Sequence, residues 1–258
     1  MISSEQTAAA ARLGVLEYLA ANPWRIIVTT QWPLALAQCL FYTVLGDLAD
    51  GPGDGSFAFV GSLGLVLALS TVGGIGALPG TEKWGGTFHR LHLSGLPPAV
   101  VFGLRSLPYL VNGVATVVLC LMVIGPVTGH GRLSAELVPA LPVLVLMAFT
   151  TAAAGLAAAS PAMGRRSEVV ITNGLMYLLV VTGGVLIPAG TAPVLDTVGT
   201  VLPLRHGFLA VRALLDGRSW LAETGLECLV GVGWAGFAHL LYRRQFARAR
   251  RLGTDDFA

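Results

Sequence analysis

Six apolar blocks, each at or near the length of a membrane-crossing helix, constrain this chain more than any other feature. They run over Trp24–Gly46, Ser56–Leu78, Ala99–Val127, Leu137–Ala159, Val169–Pro188 and Trp220–Tyr242. A hydrocarbon core about 30 Å thick takes about 20 helical residues to cross. Only 12% of the residues are charged, against about 25% in soluble domains, and the charge is missing from these blocks. Continuous apolar runs exclude a transmembrane β-barrel, whose strands need short alternating segments. The predicted fold is an all-α polytopic membrane protein, a single transmembrane domain over residues 1–258 with six spans.

The basic residues give the sequence a direction. Arg12, Arg25, Lys83, Arg90, Arg165, Arg166, Arg243, Arg244, Arg248, Arg250 and Arg251 fall on one side of the predicted spans. Arg132, Arg205, Arg212 and Arg218 fall on the other, and Arg105 lies within the third span. The first loop on the poorer side carries Asp47, Asp50 and Asp54 with no base. By the positive-inside rule both termini and the Thr81–Pro98 stretch are expected in the cytoplasm, the protein being multi-pass in the cell membrane. Cys39, Cys120 and Cys228 all fall within predicted spans and make no disulfide framework.

Four segments lie between or beside the spans. Residues 1–23 read as an interfacial helix, alanine-rich over Ser4–Ala21, with Leu13, Leu16 and Ala20 on one face. Asn22-Pro23 ends it, and Pro33 is expected to kink the span that follows. In the 79–98 loop, a helix over Thr81–Leu93 would align Trp84, Phe88 and Leu91 on one stripe, with Glu82 and Lys83 opposite. An amphipathic helix pinned between two spans is well placed to pass force to something outside the bilayer. Residues 188–219 are too apolar for a solvated loop and read as an outer re-entrant segment. Its Leu204–Asp216 part is amphipathic, with Phe208, Val211 and Leu215 on one face and Arg205 and Arg212 on another. The 243–258 tail is basic and cytoplasmic, suited to anionic headgroups.

Chemistry of the chain's own is hard to find. A phosphate-binding loop needs lysine followed by Ser or Thr, and the single lysine, Lys83, precedes Trp84. Any ATP that drives this protein is therefore bound by another chain. His89 and His92, three residues apart, have no nearby cysteine or carboxylate cluster to complete a metal site. No hydrolase motif appears, so the chain is not expected to be an enzyme.

The intramembrane polar residues are the remaining candidates. Glu223 and Glu227, four apart in the last span, admit pairing with Arg205 or Arg212, contact with substrate or a gate, or proton coupling. Asn173 and Tyr177, with Thr182 beyond them, either face a pathway or bond between helices. The glycines of the second span, Gly61, Gly64, Gly73, Gly74 and Gly76, suit close helix contact, a hinge being the other reading.

Two stretches resemble the type-2 ABC exporter permeases. That family reads E-R-E-x-G-T-L-E-x-L-x-x-S-P in its first cytoplasmic loop. Here Glu82, Gly86, Thr87, Leu91 and Ser94 fit the frame, while Trp84 replaces the second acid and Phe88-His89 replace Leu-Glu. The second stretch is a proline, a short amphipathic helix with arginine and then glycine, matched by Pro203, Arg212 and Gly217 before the last span. The resemblance implies a permease subunit with two cytoplasmic ABC ATPase partners, which bind ATP and Mg, and a second permease copy or paralogue as dimer partner. It also implies that the Thr81–Pro98 stretch is a coupling helix. Glu82, Lys83, Trp84, Thr87, Phe88 and Arg90 would then contact the ATPase.

The cargo expected is a hydrophobic or amphipathic compound, drug, antibiotic or peptide-like, moved outward. Polysaccharide or envelope-precursor export is the alternative, with less aromatic stacking surface here than it would suit. An ion-coupled secondary transporter would show repeated halves, and none is evident. A non-transporting immunity or scaffold protein remains a third class. The lipid bilayer is the expected surroundings, and no nucleic-acid partner is expected.

Overall fold

The computed structural model describes residues 4–50, 55–84, 95–162, 168–188 and 190–252, and among them every regular element is helical. Helix α1 covers Ser4–Ala21. The first span starts as α2 (Trp24–Ile26), widens to a π turn over Ile27–Gln31 and continues as α3 (Trp32–Asp50). Next come α4 (Ser56–Trp84), α5 (Pro98–Val127), α6 (Gly131–Glu136), a 3-10 turn at Val138–Ala140 and α7 (Leu141–Ala162). The chain finishes with α8 (Glu168–Thr182), α9 (Pro193–Gly199), α10 (Arg205–Leu215) and α11 (Leu221–Leu252).

Among the described residues five stretches are long and apolar enough to cross a membrane: Trp24–Ala49, Ser56–Gly80, Pro98–Val127, Gly131–Pro161 and Leu221–Arg248. The fifth predicted span, Val169–Pro188, is shorter in the structure. Helix α8 has 15 residues, about 22 Å at 1.5 Å per residue. It stops because Gly184 adopts φ +77°, the left-handed state in which glycine ends helices without steric cost. Where Pro33 was expected to kink the first span, the helix widens instead. The π turn closes through Trp32 N–H to Ile27 C=O, immediately before the proline that lacks a donor.

Two predicted ends move outward. Helix α4 continues past Leu78 and through Pro79 to Trp84, so Thr81–Trp84 prolong the second span rather than open a separate helix. The rest of the expected Thr81–Leu93 helix, with Thr87, Phe88, His89, Arg90 and His92, lies outside the described residues. Helix α11 runs on through Arg243 to Leu252, because nothing before Gly253 stops a helix and arginine is a good helix former.

Helix α4 is the hub, packed against α3, α5, α7 and α8; α11 leans on α7, and α1 on α5. Lipid tails are as apolar as leucine, so close approach and buried hydrogen bonds, rather than water exclusion, hold such helices together. The α4 glycines show this. A Cβ on Gly61 would stand 2.0 Å from the Val185 carbonyl oxygen, one on Gly64 2.0 Å from the Phe208 ring, and one on Gly76 2.5 Å from Thr172. Gly73 has nothing within 4 Å and makes no such contact. Thr71 of α4 and Thr151 of α7 share a buried hydroxyl pair at 3.1 Å. Cys39 and Cys120 are buried, whereas Cys228 lies on an exposed face.

Helix α1 follows the first turns of α5 in the same sense. A Cβ on Gly14 would meet the Arg105 backbone at 2.5 Å, and one turn on, the Tyr18 and Tyr109 rings meet edge-on at 4.8 Å. Arg105 is 2% exposed, and its Nε donates to Glu17 Oε2 at 2.9 Å. The arginine inside the third span is thus held by α1. Leu13, Leu16 and Leu19 point away from this contact, half exposed.

Candidate functional site

The densest polar cluster gathers around α10 at the end of the bundle where α4 and α7 begin. Sequence sets the helix: of its apolar stripe, Phe208 and Val211 are buried and Leu215 is half-buried against the core. The structure confines it to Arg205–Leu215, within one residue of the expected bounds at each end. Its far end closes with Gly217 at φ +67°. There Arg218 N–H reaches Ala213 C=O at 2.7 Å and Gly217 N–H reaches Leu214 C=O at 3.1 Å, the paired bonds of a glycine C-terminal cap.

The near end has no cap of its own. Leu204 occupies the N-cap position, where a side-chain oxygen is wanted. Glu227, fully buried in α11, supplies it instead. Its Oε1 accepts from Leu204 N–H at 3.1 Å and its Oε2 from Gly207 N–H at 3.0 Å. Thr150 Oγ of α7 donates to Oε1 at 2.5 Å. Both oxygens of Glu227 thus accept at the positive end of the helix dipole. Leu204 itself sits at φ +80°, a left-handed conformation costing a branched residue roughly 1–3 kcal/mol. The two amides held by Glu227 keep it there.

The other charges around α10 are also partnered. Arg205 forms an ion pair with Asp196 of α9 at 2.6 Å. Arg212 Nη2 donates to Gly184 C=O at 2.8 Å, filling the end of α8, and its guanidinium lies 3.8 Å over the Phe57 ring. His206 Nδ1 stands 2.7 Å from Glu223 Oε2 and its Nε2 3.2 Å from Thr200 C=O. Both ring nitrogens therefore lie within hydrogen-bond distance of an oxygen, one on α11 and one in the turn before α10. Trp234 Nε1 donates to Val201 C=O at 2.8 Å, tying α11 to the turn before α10.

Glu223 and Glu227 therefore do not pair with Arg205 or Arg212; each arginine has found a partner nearer in space. Pro203 is buried in the turn ahead of α10. Thr182 is buried and its hydroxyl donates back to Leu178 C=O at 2.7 Å. Asn173 and Tyr177 lie apart from the cluster, on an exposed stripe of α8 with Val170, Tyr177 being 64% exposed. Glu82, Lys83 and Trp84 are in the last turn of α4. Asp196, His206 and Thr150 were not singled out from sequence. His206 on the amphipathic helix offered a signal; a threonine inside an apolar span offers none.

The sequence profile of the ABC-2 type transporter family matches residues 17–215, from the last turn of α1 through α10. The chain belongs to that family. No curated protein matches it. As an ABC-2 type membrane domain, the chain is a permease subunit of an ABC transporter, the transmembrane and not the catalytic component. Its association with ABC ATPase partners and its multi-pass place in a membrane follow from the family and from the apolar helices. In this ABC-2 permease, α10 and the turn before it bind α4, α7, α8, α9 and α11 into one packed end.

Proposed function

We propose that this permease exports a hydrophobic or amphipathic compound, drug, antibiotic or peptide-like, from the cytoplasmic side outward. It works as a dimer with a second copy or paralogue, driven by two ATPase subunits that bind ATP and Mg. The observation that carries the cargo class is the disposition of charge. The intramembrane charges described above are each engaged by a protein group, and the large side chains on the exposed faces of the spans are mostly apolar. A pathway of that kind has no fixed charge left with which to bind an ion.

Helix α8 counts as the sixth crossing, bringing both termini to the cytoplasm. At about 22 Å it falls short of the hydrocarbon core by about 8 Å, and α9 and α10, folded over its end, cover the difference. The Asn173–Tyr177 stripe then faces the second subunit or the path between the two. Helix α4 has 29 residues, about 43 Å, long enough for its last turn to stand clear of the hydrocarbon. Glu82, Lys83, Trp84, Thr87, Phe88 and Arg90 make the ATPase contact, and closure of the ATPase pair moves the bundle as rigid bodies.

Purified complex in nanodiscs, assayed with a compound panel, tests this reading. Lipophilic compounds should stimulate ATP hydrolysis, and Glu82→Ala with Arg90→Ala should abolish the stimulation while assembly persists. Normal stimulation in the double variant would overturn the coupling role of that loop. Accumulation driven by an ion gradient without any ATPase would overturn the export reading as a whole.

A further inference from the structure

A half-open cavity of about 250 Å³ lies between the end of α1, the first span, α4 and α5. Its polar lining includes Tyr18, Gln31, Gln38, Ser70, Tyr109 and Asn112, and no charged residue borders it. Arg105 and Glu17, nearby, are engaged with each other. At about 30 Å³ per water, the volume suits one ring or head group rather than a whole drug-sized molecule.

The hydrogen bonds around this cavity run in one direction. Trp32 Nε1 donates to Asn112 Oδ1 at 3.3 Å, Asn112 Nδ2 to Gln31 Oε1 at 3.3 Å, and Gln31 Nε2 to Asn22 Oδ1 at 2.6 Å. Each of the three carboxamide oxygens thereby accepts one bond and keeps a second lone pair. Each amide nitrogen carries two N–H groups: Asn22 uses one on Tyr18 C=O at 3.2 Å, and Gln31 and Asn112 use one each along the relay. One N–H on each of these amide nitrogens thus remains as donor capacity beside the cavity, with Gln38 and Ser70 adding groups that can donate or accept. Tyr18 adds to it independently: the side chain is 6% exposed, and its hydroxyl is buried without a hydrogen-bond partner. Burial, with Tyr109 beside it, pushes the Tyr18 phenol up to about 12, so it stays a neutral donor. Unpaired buried donors cost free energy until an acceptor meets them.

We propose that this cavity binds the uncharged, acceptor-rich polar end of a lipophilic molecule, such as a lactone, an ester or the oxygens of a neutral sugar. Tyr18, Gln31 and Asn112 donate to it, and Tyr109, whose ring fills the space over Gly74, forms its wall. The exposed Leu34 at the rim leaves the apolar body of the molecule in contact with lipid. This deepens the exporter reading and rests on it only for the role of the site in loading cargo; the binding stands without it.

The test uses the full-length permease alone in phosphatidylcholine nanodiscs with a diazirine-bearing pentadecanolide, a lipophilic lactone, as photo-crosslinking probe. Competitors are unlabelled pentadecanolide, galactosyl diacylglycerol and dodecylammonium. Saturable labelling of the peptides holding Tyr18 and Tyr109 is expected, competed by the uncharged compounds and not by the cation. Tyr18→Phe, which keeps the packing, should weaken binding about five-fold, and Asn112→Leu about ten-fold or more. Competition by the galactolipid alone would place a lipid head group in the site, which the proposal allows; competition by the lactone alone would mark it as cargo chemistry. Unsaturable labelling, equal competition by dodecylammonium, or unchanged affinity in Tyr18→Phe would overturn the proposal. ATPase stimulation of the complex, measured in parallel, separates the two readings: stimulation without labelling at this cavity sinks the site and leaves the exporter.

Discussion

The α10 end and the α1 end of the bundle both place polar groups among apolar helices, and they solve the resulting cost in opposite ways. Around α10, ionised side chains are spent on backbone: Glu227 on two amides, Arg212 on the Gly184 carbonyl. Around α1, apart from the Arg105–Glu17 pair, neutral carboxamides bond to one another and a cavity of about 250 Å³ remains beside them. Charge-to-backbone bonds fix the relative positions of whole helices, because a helix end cannot shift without orphaning its amides. A relay of neutral side chains re-forms at small cost with a ligand in place of one link. The first arrangement suits a part that moves as a unit, the second a part that admits something.

The largest effect should come from removing the carboxylate that caps α10. Glu227→Ala leaves the Leu204 and Gly207 amides without their partner and should cost about 3–5 kcal/mol, read as a fall in thermal midpoint in detergent. Glu227→Gln keeps one acceptor oxygen and should cost about half as much; equal losses in the two would show that charge, not capping, matters.

Backbone contacts come next. Gly61→Ala forces a methyl to within 2.0 Å of the Val185 carbonyl, and Gly14→Ala one to within 2.5 Å of Arg105 Cα. Each should cost about 2–3 kcal/mol, since a backbone cannot turn aside as a side chain does. Proteolysis distinguishes the ends: Gly14→Ala should free α1, and Gly61→Ala should not. Smaller still, Glu17→Gln should cost about 1 kcal/mol, because Glu17 is 35% exposed and water screens the pair. The smallest change is Tyr18→Phe. With no bond to lose, it should alter stability by less than about 0.5 kcal/mol, and a larger loss would mean that the hydroxyl is already used within the protein.

Some of this was legible before any coordinates. Five of the spans and the amphipathic 204–216 helix follow from hydropathy and a three- and four-residue stripe, both local properties, and Gly217 was marked by the family resemblance. The intramembrane glutamates were visible as costly residues that must have partners. Their partners were not visible, and the natural electrostatic expectation, a nearby arginine, fails because Asp196 and the Gly184 carbonyl lie closer to those arginines than either glutamate does.

The amino-acid sequence by itself determined that this is a helical membrane protein, where its spans fall and that it carries the marks of an ABC-2 permease, since length and transfer free energy act residue by residue. Only the tertiary structure decided that Glu227 caps α10, that α8 stops at Thr182 and that Tyr18 borders a polar cavity. The physical reason lies in the spans themselves. Where every face of a helix is apolar, periodicity no longer says which face is buried, and the choice passes to small-residue contacts and hydrogen bonds between helices far apart in the chain.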